Sequence, residues 1–509
     1  MPNSDHAIRH ETVNPHPGRT GDTDGTPHGH VGSSPWSGMM RQHLPSGPKA
    51  SLALVALFAT LGLLAGCTVA QGGSGSFQAK QLAPDAPDAH LSVHFTDNSA
   101  ADHVAVNAIT DIQQYWTQEM PAVFNKAYRP VKGGFYSADP ASGQSVPCAG
   151  SASAVKNNAF YCASADVVVW DRTNLFPVLE KDFGKYSIAM VLAHEWGHAI
   201  QARTKDPGRR TIVIENQADC YSGAFTAWAY AGNAPHFHIS IDDLDKAFAG
   251  YLSFADNPGD DPNGSQAHGS GFDRVSSFQQ GFDSGPTFCA DPKIYNDHKV
   301  FTETRFQPND QGQGNLPLST LLKQAPPDMG SYWKAALPKL FNVSGAKDLG
   351  DVQGYDPASE KVTCGGTKIT PVIMYCKADD KVYLQTPFAQ AVYSKTGDNG
   401  VATMIGIGYG YAIRDRLGKS TNDQNALLGA ICYTGLYDAD AFNASVGAKT
   451  TLPKHALTLS PGDLDEAIEA LLIGVSDTAF TGTEGTTGFL RVNVFQNAVK
   501  TGAGACTQY

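Results

Sequence analysis

The sequence predicts an α+β chain in which one domain occurs twice in tandem, with chemistry confined to the first copy. Three observations carry this: ordered internal matches, an even division of cysteines between the halves, and polar motifs present in one half alone. Tyr115-Trp116, followed by Pro121 and Phe124, returns as Tyr332-Trp333, followed by Pro338 and Phe341. Residues 166–170 (DVVVW) match 380–384 (DKVYL), and Cys220-Tyr221-x-Gly223 matches Cys432-Tyr433-x-Gly435. Asp243-Leu244-Asp245 returns as Asp463-Leu464-Asp465. Gly271-Phe272-x-Arg274-Val275 with Phe278-Gln279 returns as Gly488-Phe489-x-Arg491-Val492 with Phe495-Gln496. All offsets lie between 212 and 220, so two copies are read, over 91–291 and 331–509, with a connector over 292–330.

Composition fits packed domains and narrows the function. With 41% hydrophobic and 17% charged residues, the 509-residue chain has ample material for a core. Its net charge of −12 argues against nucleic acid as a partner, because phosphate binding draws on Lys and Arg.

The N-terminal region reads as an address. Residues 50–65 are apolar or small, fewer than the about 20 that a spanning helix needs. With Arg41 and Lys49 before them they fit the h-region of a secretory signal, 50–66. Leu64-Ala65-Gly66-Cys67 resembles a bacterial lipobox, which implies acylation of Cys67, cleavage just before it, and export to the outer face of the cell membrane. Residues 1–49, rich in His, Pro and Gly, are then a disordered or non-native extension lost on cleavage, and translation is expected to start at Met39 or Met40. Residues 67–90 are expected to be a flexible tether.

Of nine cysteines, Cys67 belongs to the lipobox, which leaves Cys148, Cys162, Cys220 and Cys289 in one copy and Cys364, Cys376, Cys432 and Cys506 in the other. They recur where the metal-type residues do not, and an exported chain keeps disulfides, so they are expected to be bridged. Four cysteines allow three connectivities per copy.

The copies differ where chemistry is expected. Residues 193–201 read AHEWGHAIQ, and the aligned 406–414 read GIGYGYAIR, so His194, Glu195 and His198 face Ile407, Gly408 and Tyr411. On a helix, positions i and i+4 share a face, so both imidazoles can reach one zinc, with the glutamate beside the reacting water. Asp206-Pro207-Gly208 is expected to end that helix. The next apolar helical segment carries Glu215 and Asp219, again four apart, facing Leu427 and Ile431 in the second copy. Glu215 suits a third ligand, and Asp219 can accept the second ring N–H of a liganding histidine. His268 faces Gly485 and is a candidate for stabilising an oxyanion, or else an ordinary loop histidine. Arg274 and Tyr221 recur as Arg491 and Tyr433 and are read as structural.

AHEWGHAIQ, then ENQADC, then His268-Gly269-Ser270 with Arg274, resembles the bacterial neutral zinc metallopeptidase family, a zincin family with a glutamate ligand. The resemblance covers roughly 130–291, and Asn216 departs from the leucine usual after the glutamate. It implies a zincin-like α+β domain with one Zn2+ per chain on His194, His198 and Glu215, and Glu195 as general base and acid. With proximity, it also favours the pairs Cys148–Cys162, Cys220–Cys289, Cys364–Cys376 and Cys432–Cys506. The implied partner is a peptide or protein substrate, extended along an edge strand expected at 167–170, with the second copy a zinc-free scaffold. The competing reading is a surface-anchored binding or assembly lipoprotein with vestigial catalysis. The sequence assigns no oligomeric state.

Overall fold

The structure, a computed structural model, describes residues 85–205, 209–264, 267–302, 305–306, 314–423, 425–473 and 486–509. The extension, the signal segment, Cys67, most of the tether and Asp206-Pro207-Gly208 lie outside them. The described residues belong to one compact unit. No helix among them is long and apolar enough to cross a membrane.

The fold is mixed α+β and mostly helical. Its first half runs β1 (Val93–His94), α1 (Ala100–Phe124), β2 (Gly134–Ala138), β3 (Ala159–Cys162), β4 (Val167–Asp171), α2 (Leu175–Phe183), α3 (Tyr186–Thr204), α4 (Thr211–Tyr230), α5 (Ile241–Leu252) and α6 (Gly271–Cys289). The second half runs α7 (Leu318–Phe341), β5 (Val352–Tyr355), β6 (Thr363–Cys364), β7 (Thr367–Lys368), β8 (Ile373–Cys376), β9 (Lys381–Gln385), α8 (Thr386–Thr396), α9 (Asp398–Arg416), α10 (Ala426–Ser445), α11 (Asp463–Ile473) and α12 (Gly488–Thr501). Helix α7 therefore begins inside the span read as a connector.

The first sheet has the order β1-β2-β4-β3, with β1, β2 and β4 parallel and β3 antiparallel to β4. The second has the order β5-β9-β8, with β5 parallel and β8 antiparallel to β9. Strand β4, the continuous apolar run VVVWD, is buried along its whole length, as expected of a strand covered on both faces. The expectation of a substrate-binding edge at 167–170 is corrected here. Both sides of β4 are already occupied by β2 and β3, so the edge strands of this sheet are β1 and β3, and β3 is buried except at half-buried Tyr161.

Matching residues of the two halves occupy similar surroundings. Tyr115 and Trp116 lie buried on α1 with ring centroids 5.1 Å apart, and Tyr332 and Trp333 on α7 at 5.0 Å. The cysteines stand as Cys148–Cys162, Cys220–Cys289, Cys364–Cys376 and Cys432–Cys506, with sulfurs 1.98–2.03 Å apart.

The halves meet through reciprocal contacts. The Asp465 carboxylate accepts the N–H groups of Gly271 and Phe272 at the start of α6, at 2.8 and 2.7 Å. Asp245 does the same for Gly488 and Phe489 at the start of α12, at 2.6 and 2.8 Å. Gln279 donates to the Phe489 carbonyl and Gln496 to that of Phe272. Each acid thus satisfies N–H groups that a helix start leaves unpaired, and lies at the positive end of the helix dipole.

A buried ion cluster ties the second half together. The His455 side chain is fully enclosed, with Nδ1 2.8 Å from Asp328 Oδ2 and Nε2 3.0 Å from Asp440 Oδ2. Burial opposes its charge, but the two carboxylates outweigh that and raise its pKa to about 9. The folded value lies above the ordinary 6.5, so this contribution to stability is complete below that pH and lost as pH rises through about 9. His455→Gln should cost about 3 kcal/mol near pH 6 in denaturant titrations, because it strands buried carboxylates. The variant should also lose part of the alkaline decline in stability that the parent shows.

Candidate metal centre

The site begins with two buried helices forced close together. Helix α3 is apolar nearly all round and buried over most of its length, a core helix rather than a surface one. Helix α4, also buried, crosses it at Gly197, where an added Cβ would lie 2.7 Å from the Ala218 Cα. Only a residue without a side chain permits that approach. The helical repeat puts His194 and His198 on the face of α3 that looks at Glu215 and Asp219 on α4.

Three donor atoms converge there. His194 Nε2 lies 3.1 Å from Glu215 Oε2 and 3.2 Å from His198 Nε2, and His198 Nε2 lies 3.4 Å from Glu215 Oε2. A tetrahedral zinc with bonds of about 2.0–2.1 Å separates its ligand atoms by about 3.3 Å. The triangle therefore has the dimensions of a zinc ligand set.

The opposite ring nitrogens explain why these lone pairs turn inward. His194 Nδ1 lies 2.7 Å from Asp219 Oδ1 and 3.1 Å from the Tyr251 hydroxyl, which itself bonds Asp219. A carboxylate only accepts, so Nδ1 carries a proton and Nε2 is the nitrogen turned to the centre. His198 Nδ1 lies 2.9 Å from Gln201 Oε1. The Gln201 amide donates to the Ile214 carbonyl and to Gln217 Oε1, which turns its oxygen toward the ring. Two imidazole nitrogens and a carboxylate oxygen facing one another at this spacing suit a cation.

Charge is balanced behind the ligands. Arg274 donates to both Asp219 oxygens, at 3.0 and 2.9 Å, and to the Phe254 carbonyl. Burial would raise Asp219, but Arg274 and then His194 hold its carboxyl well below the usual range. Glu215 is likewise held well below its ordinary value against burial, by His198 and His194. Glu195 differs: burial pushes it up, with the two imidazoles opposing. Its Oε2 accepts the Tyr161 N–H of the edge strand β3 at 2.9 Å.

The structure thus brings His194, His198, Glu215, Glu195 and Asp219 together. His268 stands at the margin: its backbone N–H and its Nδ1 are held by Asp256, at 2.7 and 3.3 Å. Arg274, read from its recurrence as structural, bonds the carboxylate that orients His194, whereas Arg491 bonds the Leu471 and Thr486 carbonyls. Tyr251 and Gln201 were not singled out by the sequence reading. The aligned residues of the second half, Leu471 and Arg414, already distinguish both positions. Asn216, the departure from the family pattern, donates to the Ile212 and His268 carbonyls and accepts from Ser277, so it packs without strain away from the ligands.

Fold and site together define a metal centre of the His-Glu-x-x-His type with a glutamate from the following helix. Residues 37–292, half of the chain, match the family described as Putative neutral zinc metallopeptidase, and the chain belongs to it. No curated protein and no solved structure matches the chain. The family implies zinc, and the buried His194–His198–Glu215 group fits it.

Two variants test this geometry. Asp219→Asn should weaken zinc binding about 10–100-fold in competition with a chromogenic chelator, with the fold kept by circular dichroism. Gly197→Ala should force α3 and α4 apart and cost both zinc affinity and about 1–3 kcal/mol of stability.

Proposed function

We propose that the chain is a zinc-dependent peptidase of the outer cell surface, hydrolysing peptide bonds with Glu195 as general base and acid. The observation that carries this is the ligand triangle of 3.1–3.4 Å with a second carboxylate beside it, raised by burial and hydrogen-bonded to the edge strand β3.

His194, His198 and Glu215 would hold the metal. Bound zinc supplies Lewis acidity, polarising the scissile carbonyl and lowering the pKa of water toward about 7. Glu195, desolvated and pinned by the Tyr161 N–H, takes the proton of the attacking water and later delivers it to the leaving amine. Among the described residues β3 pairs with β4 alone, so an extended peptide could add along its other side, where the Tyr161 N–H already meets Glu195. His268 would be the donor to the developing oxyanion.

On this reading the second half is a diverged copy kept as a scaffold. Its matching sheet order, matching cysteine pairs and aligned sequence support common descent, while Ile407, Tyr411 and Leu427 replace the three ligands. Its Asp465 braces the start of α6, the helix that carries Arg274. The lipobox-like Leu64-Ala65-Gly66-Cys67 supports attachment to the membrane through Cys67.

Glu195→Gln is the test. It should retain one zinc per chain by mass spectrometry yet lower cleavage of a mixed peptide library by a factor of about 10²–10⁴. A parent protein that holds zinc and cleaves nothing in the library would favour the binding or assembly role instead. His268→Gln should lower kcat by about 10² with zinc content unchanged; an unaltered kcat would return it to the loop.

A further inference from the structure

The halves differ at a second place, far along the sequence from the zinc ligands. Where the first half has Lys185 and Lys246, the aligned positions of the second have Asp398 and Glu466. These two acids meet Asp463, with one carboxylate oxygen from each within 4.8 Å of the others. Asp398 and Asp463 are each only 5% exposed.

Their hydrogen bonds come from neutral donors. Asp398 Oδ2 accepts the Leu316 N–H at 3.0 Å, Glu466 Oε2 the Asn399 N–H at 2.8 Å, and Asp463 both the N–H and the hydroxyl of Ser460 at 2.7 Å. Asp398 Oδ1 is buried without a hydrogen-bond partner. The backbone makes room for this convergence: a Cβ on Gly397 would lie 2.1 Å from Glu466 Oε1 and 2.5 Å from the Asn315 side-chain oxygen. A cavity of about 340 Å³, lined among others by Asp398, Asn399, Tyr437 and Asp463, adjoins the cluster and has room for coordinating water.

Buried carboxylates packed this closely require either protons or a cation. Burial first, and then mutual repulsion, raises Asp463 well above its ordinary value and Glu466 to about 9. All the side-chain donors are oxygens, the set chosen by hard divalent ions, and the irregular arrangement with open space beside it suits calcium better than magnesium, which demands a near-ideal octahedron.

We propose that Asp398, Asp463 and Glu466 bind one calcium ion, which joins the start of α9 to the start of α11. Such an ion would tie together elements on which the second half depends, and it would do so whether or not the first half is a peptidase.

The full, zinc-loaded chain is titrated with calcium chloride at pH 7.5, following heat of binding and thermal unfolding. One calcium site is expected, with the unfolding midpoint raised by about 3 °C or more at a hundredfold excess over Kd. Asp398→Asn and Glu466→Gln should each abolish the calcium-dependent rise and leave zinc content unchanged. Absence of both heat and shift at about 10 mM calcium, above the range of weak extracellular sites, would overturn the proposal. So would an equal response to magnesium chloride, or a Glu466→Gln chain that still binds calcium with unchanged affinity. The titration of the parent chain decides alone if a variant does not fold.

Discussion

The structure turns on the contact of α3 with α4 at Gly197 and Ala218. The candidate zinc ligands lie on the two faces this crossing brings together, and its closeness determines whether their donor atoms meet. A methyl group's worth of separation would open the ligand triangle beyond the span of zinc bonds of about 2.0–2.1 Å. The second half keeps the same device: a Cβ on Gly410 would lie 2.5 Å from the Ala430 Cα. There Ile407, Tyr411 and Leu427 stand where the first half has His194, His198 and Glu215.

Burial makes the site both possible and demanding. An ionised carboxylate in an apolar interior is costly unless paired, and the chain answers with ordered layers of compensation. Arg274 neutralises Asp219, Asp219 and Tyr251 orient His194, and Gln201 orients His198, so both rings turn Nε2 toward Glu215. Among the described residues Glu195 receives one backbone N–H, from β3, and burial raises its pKa. The support extends across the halves, because α6, which supplies Arg274, starts against Asp465.

Much of this was legible in the sequence because it follows from local periodicity. A spacing of four along a helix defines a face, so the convergence of His194, His198, Glu215 and Asp219 could be read before any coordinates. Comparison of the halves separated these residues from those shared by both. The same comparison undervalued Arg274: identical arginines in similar positions bond a carboxylate in one half and carbonyls in the other, a difference set by tertiary surroundings. The edge strand was misassigned because burial on both faces makes β4 the more conspicuous run, while strand order depends on nonlocal pairing. Tyr251 reaches His194 from a helix more than fifty residues away, and no local pattern announces such a contact.

Diffraction from crystals of the zinc-loaded chain, recorded on both sides of the zinc absorption edge, tests the central claim most directly. One anomalous peak is expected about 2.0–2.1 Å from His194 Nε2, His198 Nε2 and a Glu215 carboxylate oxygen. A zinc peak elsewhere, or a Glu215 side chain turned away from a metal held by the two histidines, would contradict it.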